Sequence, residues 1–335
     1  MQFIIGVILA LLLLAGAVLM WSPRVMPPPG PRATAPGPPA SAFPLSFTDA
    51  LGREITLARP ANRIITLSPN LAETVCAVGA ADQLVGVDEY TRYPPAAAAK
   101  TKVGGIINPD LEKILALQPD LILVARGLDK QLITRLQELA CPVAAFDPQS
   151  VEEVLELVED VGQLSGRQEQ ARKLVSGLRA RLDRVRAAAQ AGSHSPRVLL
   201  IITWDGLFVG GVGGYAHDLI ATAGGLNAVT LMKGISPHQP WPTVTRELVV
   251  ASDPEVIVFA GGMGVVPGGQ TPAETLAVLR KDPAWARLSA VRTGRVVRIE
   301  DDVLTIPGPR LFDGLEALQK ALGCCPPGGS HAETG

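Results

Sequence analysis

From Arg167 to Ala189 apolar residues recur at Ala171, Leu174, Val175, Leu178, Leu182, Val185 and Ala189, in steps of three and four. That is the period of one helical face. Arg167, Glu169, Arg172, Lys173, Arg179, Arg181, Asp183, Arg184 and Arg186 fill the gaps and make the wet face. A helix of this length is about 35 Å long, close to the width of a small domain. Gly177 weakens it by about 1 kcal/mol without ending it. The stretch lies midway along the folding part of the chain, and the residues after it resemble the residues before it. It is predicted to be a stiff connector between two lobes. An ordinary surface helix of one large domain is the plainer alternative.

The chain has 335 residues, enough for two domains of ordinary size. A net charge of −2 implies no broad basic field for nucleic acid. Cys76 and Cys141 sit among apolar neighbours and read as buried thiols, while Cys324 and Cys325 are adjacent near the end. No CxxC pair or Cys/His spacing points to zinc.

Phe3 to Trp21 is a run of nineteen residues without a charge. Such a run spans about 28 Å, close to the hydrocarbon thickness of a bilayer. A cleavable signal usually has a shorter apolar core of about 7–15 residues. Residues 1–21 are therefore expected to be an uncleaved membrane anchor, with a removed signal peptide as the alternative. Either one exports the remainder. No cysteine follows the run to carry a lipid. Residues 22–44 contain nine prolines and are expected to form an extended tether.

From Leu45 onward short apolar strands alternate with helices. Leu45–Phe47 and Glu54–Leu57 flank a turn and read as a hairpin. Strands are expected at residues 63–68, 84–87, 120–124 and 143–146, with helices at 69–80, 111–117, 128–139 and 151–164. After the connector, strands at 197–203, 207–209, 256–259 and 296–299 alternate with helices at 215–223, 245–251, 273–280 and 310–322. Alternation at this spacing implies parallel sheets covered by helices. The expected layout is an N-terminal α/β lobe (45–150), connecting helices (151–192), a C-terminal α/β lobe (193–323) and a flexible tail (324–335).

The chain also repeats itself. Glu112-Lys-Ile-Leu-Ala-Leu-Gln-Pro119-Asp-Leu-Ile-Leu-Val-Ala125 lies over Glu247-Leu-Val-Val-Ala-Ser-Asp-Pro254-Glu-Val-Ile-Val-Phe-Ala260 without a gap. A helix–Pro–strand unit thus occurs once on each side of the connector, as a pseudo-two-fold axis would require. Glu112 and Glu247 each fall in a first helical turn, where the helix dipole favours a carboxylate by about 0.3–1 kcal/mol. They read either as that local device or as equivalent tips offered to a partner of matching symmetry.

Many of these segments resemble one family. Arg63-Ile-Ile-Thr-Leu-Ser-Pro-Asn-Leu-Ala-Glu-Thr, Val85-Gly-Val, Tyr93-Pro-Pro, Val103-Gly-Gly and Asn108-Pro-Asp-Leu-Glu-Lys-Ile belong to it. So do Gln118-Pro-Asp-Leu-Ile-Leu, Trp241-Pro-Thr-Val, Asp253-Pro-Glu-Val-Ile and Pro307-Gly-Pro-Arg-Leu. Together they are similar to the cobalamin and ferric-siderophore type of substrate-binding protein of ABC importers, over about Phe43 to Gly323. The resemblance implies two Rossmann-like lobes with parallel sheets, joined by one long helix, with a ligand cleft between them. It implies an extracytoplasmic protein without catalysis or resident cofactor. The implied cargo is a metal-containing corrinoid, a ferric siderophore or haem. The implied partner is an ABC permease dimer with its ATPase subunits, met by Glu112 and Glu247.

Ligands in such folds sit at the carboxyl ends of the strands. The loops there carry the candidate binding residues Tyr90, Ile106, Arg126, Trp204, Phe208, Tyr215 and Trp241, with Tyr93 nearby. Aromatic faces with few polar anchors suit a flat macrocycle. Cobalamin-type members place tryptophans where this chain has Ile106 and Ala125. Tyr215 and His217 are candidates to ligate a haem iron, although His217 reads first as a plain helix residue. His194, His238 and His331 show no metal spacing. The rival class is a nucleotide-using α/β oxidoreductase, prompted by Gly210-Gly-Val-Gly-Gly214 between a strand and a helix. That turn lacks GxGxxG spacing, and no acidic ribose partner comes after it. A membrane-tethered sensor using the same cleft is a third reading.

Overall fold

The computed structural model describes residues 43–125, 130–138, 141–261, 266–299 and 302–323. The N-terminal apolar run, the stretch 22–42, Arg126, His331 and the tail with Cys324 and Cys325 lie outside the described residues. Among the described residues no helix is long and apolar enough to cross a membrane.

The first lobe opens with the hairpin β1 (Leu45–Thr48) and β2 (Glu54–Leu57). It continues with β3 (Ile64–Thr66), α1 (Pro69–Ala77), β4 (Leu84–Val87), α2 (Pro95–Ala98) and β5 (Thr101–Lys102). Then come α3 (Leu111–Ala116), β6 (Leu121–Ala125), α4 (Lys130–Glu138) and β7 (Val143–Phe146). Two helices come next, α5 (Val151–Leu164) and α6 (Gln168–Gln190). The second lobe runs β8 (Arg197–Thr203), β9 (Phe208–Val209), α7 (Tyr215–Thr222), β10 (Leu226–Asn227), α8 (Arg246–Ser252) and β11 (Val256–Ala260). It closes with α9 (Pro272–Lys281), α10 (Ser289–Arg292), β12 (Val296–Ile299) and α11 (Leu311–Gly323).

The first sheet has the order β5-β4-β3-β6-β7 and is parallel throughout. The second has the order β10-β8-β11-β12, also parallel, with β9 antiparallel against β8. Period-two alternation sends successive side chains to opposite faces. Ile65, Ile122 and Val124 pack under α3 and α4 on the outside of the first sheet. Leu199, Ile201, Ile257 and Phe259 do the same under α8, α9 and α10 on the second. The alternate residues Ile64, Leu121, Leu123, Val198, Leu200, Val256 and Val258 meet in a third core, completed by α1, α5, α6, α7 and α11.

That third core shows how the stiff connector joins the two lobes. The sheets are separate, but one apolar interior runs from one to the other through the connecting helices. α6 buries Ala171, Val175, Leu178, Leu182 and Val185 as a wall shared by both lobes. Where α5 crosses it, Gly162 leaves no room for a side chain: a Cβ would stand 2.3 Å from the Ala171 Cβ. Polar clamps reinforce the wall. Arg186 and Arg179 reach Glu152 of α5 at 2.7 and 3.3 Å. Arg181 reaches Asp313 and Glu316 of α11 at 2.6 and 2.8 Å. Each exposed pair is worth little alone. Asp218 of α7 also accepts the backbone N–H of Val151 at 2.7 Å, tying the second lobe to the start of α5.

The internal repeat extends into the backbone. Gln118 and Asp253, each just before the repeated proline, take left-handed φ values of 46° and 39°. The acidic residue after each proline, Asp120 or Glu255, accepts the backbone N–H of the residue that leads the central strand, Arg63 or Arg197. Each of those arginines returns its side-chain N–H to carbonyls at the end of the repeated helix, Leu117 and Gln118 or Asp253. The same latch thus closes the same strand–helix corner in both lobes.

Candidate functional site

β3, β6, β7 and β8 all point their carboxyl ends toward one open cleft of about 900 Å³. The first lobe contributes Ser68 and Asn70 at the start of α1, Ala125 ending β6, and Phe146-Asp147-Pro148-Gln149 leaving β7. The second lobe contributes Ile202 of β8, an aromatic group, His238 and Pro240 from one loop, and Thr305 and Pro307 from another.

The aromatic group is built around Trp241. Phe208 stacks on it at 6.2 Å between centroids and 27° between planes. Tyr215 meets it edge-on at 5.3 Å and 65°. Such pairs lock one another's rotamers and present a preformed flat wall. Polar groups are few and mostly engaged. Ser68 Oγ donates to Asn70 Oδ1 at 2.6 Å, and Asn70 Nδ2 donates to the Pro307 carbonyl at 3.4 Å. Gln149 Nε2 donates to Asp147 Oδ1 at 2.5 Å.

The Tyr215 hydroxyl donates to the Thr305 carbonyl at 2.7 Å. Burial drives its pKa far above the ordinary tyrosine range. This phenol is a committed donor to the Thr305 carbonyl, and burial favours its protonated form. His217, its expected companion, has a buried Nδ1 without a partner among the described residues and is not part of the cleft lining. Among the described residues no three His, Cys, Asp or Glu side chains gather into a metal site.

The candidate binding residues divide. Phe208, Tyr215 and Trp241 line the cleft. Trp204 does not: the turn after β8 folds it onto the outer core, where it packs on Trp285 at 4.9 Å and Phe259 at 6.2 Å. Ile106 packs against the outer core of the first lobe. Tyr90 is 53% exposed on the loop after β4, away from the cleft lining. Arg126 lies outside the described residues. Sequence reasoning passed over Asn70, Phe146, Gln149, His238 and Pro307. The strand-end rule, applied to β7 as well as to the strands before it, reaches Phe146 and Gln149. His238 carries no local signal, because its loop is brought in by folding.

The glycine-rich turn has a different purpose from a phosphate cradle. A Cβ on Gly211 would lie 2.3 Å from the Gln239 carbonyl and from Pro242 Cδ, and one on Gly214 would lie 2.6 Å from Pro240 Cβ. Gly213 has φ +84° and lies against His238. Asn227 Nδ2 donates to the carbonyls of Gly210 and Gly211 at 3.0 and 3.1 Å. The chain's own 236–242 loop fills the space these glycines leave, which removes the observation that prompted the oxidoreductase reading.

Glu112 and Glu247 are both exposed, and each is the second residue of its helix, α3 or α8. Those helices run back against the strands, so both glutamates stand at the cleft end of their lobes. One turn further on, each is succeeded by an exposed apolar residue, Leu115 at 50% and Val250 at 37%. The backbone N–H of Glu247 and the Thr245 side chain hold the Glu247 carboxyl below its usual range.

Two parallel-sheet lobes that share one cleft at their strand ends, joined by a helical wall, define a cleft-binding protein. A family model described as periplasmic binding protein matches residues 64–303. The vitamin B12-binding protein of Salmonella typhimurium is 30% identical over 265 residues, covering 78% of this chain and 90% of its own. Among solved structures, the vitamin B12-binding protein BtuF of Vibrio cholerae is similar with TM-score 0.67 and 27% identity, covering 78% of this chain and 97% of that one. The haem-binding protein RhuT of Roseiflexus sp. RS-1 gives TM-score 0.67 and 26% identity, covering 78% and 98%. The chain belongs to the periplasmic binding protein family, and its role is to bind a substrate.

Proposed function

We propose that this protein captures a corrinoid of the cobalamin type outside the cytoplasm and delivers it to a two-fold ABC permease with its ATPase subunits. The observation that carries the ligand class is the wall of Phe208, Trp241 and Tyr215 with its phenol proton committed to Thr305. A wall of this kind grips a flat macrocycle by its face. The names of the relatives support the same class. The metal arrives as part of the cargo and is not a resident cofactor. Haem or a ferric siderophore is the second reading, favoured by the haem-binding neighbour.

Capture and hand-over need no bond to be made or broken. The shared core and the clamps on α6 limit closure to a small change of lobe angle. Glu112 and Glu247 present a symmetric pair of carboxylates to basic groups on the permease, a contact that orients docking. The apolar segment 1–21 is the proposed means of membrane attachment.

Isothermal titration of the purified protein with hydroxocobalamin, haemin and a ferric siderophore tests the ligand. The corrinoid is expected to bind most tightly. Tight binding of haemin with no corrinoid heat would replace the first reading by the second. Uptake of a corrinoid that continues in a deletion strain would favour the sensor reading over transport.

A further inference from the structure

Glu73 and Arg310 form an ion pair across 237 residues of sequence, from α1 of the first lobe to the residue before α11 of the second. Glu73 is 3% exposed and the Arg310 side chain 18%. Arg310 Nε and Nη2 both reach Oε1, at 3.0 and 2.5 Å. The guanidinium lies 4.0 Å from the centroid of the Tyr93 ring, on the loop after β4. Three elements from two lobes thus converge on one charge pair.

The pair sits at the root of the cleft wall. One turn before Glu73, Asn70 bonds the Pro307 carbonyl, and Gly308 lies so close that a Cβ there would be 3.3 Å from the Asn70 carbonyl oxygen. At its other end, the segment holding Thr305 and Pro307 is tied to Tyr215. A shift of α1 against α11 therefore moves a cleft wall. Arg310's two donors converge on one oxygen, and Glu73 Oε2 is buried with no partner among the described residues. A fork-to-fork pair engages both oxygens. A small rotation of one lobe would re-aim Nη2 at Oε2 and complete it.

We infer that Glu73, Arg310 and Tyr93 form an interlobe strut that sets the aperture of the cleft and retains the ligand by completing the bidentate pair as the lobes draw together. They are positioning residues and touch no ligand. The retention half of this inference rests on the ligand reading above, while the aperture half does not.

The test uses the full chain in detergent, with Cys76, Cys324 and Cys325 replaced by Ser and nitroxides attached at Lys113→Cys and Arg280→Cys. Pulsed electron resonance then reads the distance across the lobes. The parent is expected to show a narrow distribution, Glu73→Gln and Arg310→Met a broad one, and Arg310→Lys an intermediate one. Tyr93→Leu alters an exposed side chain, keeps the core intact, and is expected to broaden the distribution partially even where the buried variants fail to fold. Identical distributions in the parent and every folded variant would overturn the strut. In stopped-flow with hydroxocobalamin, release is expected to be about ten-fold faster in Glu73→Gln with association little changed. Unchanged release would overturn the retention role. A parent that binds no hydroxocobalamin would refute the ligand reading, and the distance measurement would still decide the strut.

Discussion

Tyr215→Phe removes one oxygen and leaves the ring, so the edge contact with Trp241 survives. The loss is the bond to the Thr305 carbonyl at 2.7 Å. A neutral hydrogen bond contributes about 0.5–1.5 kcal/mol net, and a buried acceptor left alone costs about 1–3 kcal/mol. Thr305 is only half-buried, so water relieves part of that cost. The expected loss is about 1–2 kcal/mol, read in urea as a lower midpoint at unchanged slope. Affinity for hydroxocobalamin is expected to change less than about three-fold, because ring and wall remain in place. Haemin binding is likewise expected to persist, since the hydroxyl is engaged by the Thr305 carbonyl. A variant as stable as the parent that has lost haemin affinity and its charge-transfer band would refute both expectations. That outcome would make Tyr215 an iron ligand.

Trp241→Ala takes out the centre of the aromatic wall and is expected to weaken corrinoid binding by about ten-fold or more, measured by titration calorimetry. An unaltered affinity would move the ligand elsewhere. Glu112→Ala combined with Glu247→Ala is expected to abolish uptake and leave affinity intact, each desolvated partner being worth about 2–5 kcal/mol at a docking surface. Lost affinity in that double variant would place the glutamates in the pocket instead. Burial, with Glu156 and Glu159 adding to it, pushes Asp160 from its ordinary 3.8 up to about 7. The folded state then binds the proton more tightly than the unfolded chain. The stability this gives is present in full below the unfolded value and fades as pH rises through 7. Asp160→Asn is therefore expected to stabilise the protein at pH 8 by about 1–2 kcal/mol, below the roughly 4 kcal/mol of the full shift because the side chain is partly exposed. It should give no gain at pH 4, and an equal effect at both pH values in chemical denaturation would sink the linkage.

Periodicity was enough to place most elements. Leu84–Val87, Val143–Phe146 and Val151–Leu164 stand in the structure with the bounds their apolar patterns imply, and the connector begins and ends within one residue of its pattern. The repeat of Glu112 and Glu247 was legible as letters, and the strand-end rule found Phe208, Tyr215 and Trp241. These features are local, because alternation and helical period record which face of each segment leaves water. They do not record which segment comes to cover that face. Trp204 and Phe208 both lie just after β8 begins its exit turn, and only that turn sends one to the outer core and the other to the cleft. Gly211 and Gly214 read the same whether a phosphate or the chain's own 236–242 loop fills their space. Glu73 and Arg310 carry no mark of each other, and their pairing exists only because two sheets share one core. The sequence by itself determined the elements and their wet and dry faces. The tertiary structure alone decided the contacts between distant segments, since those depend on how already folded surfaces meet.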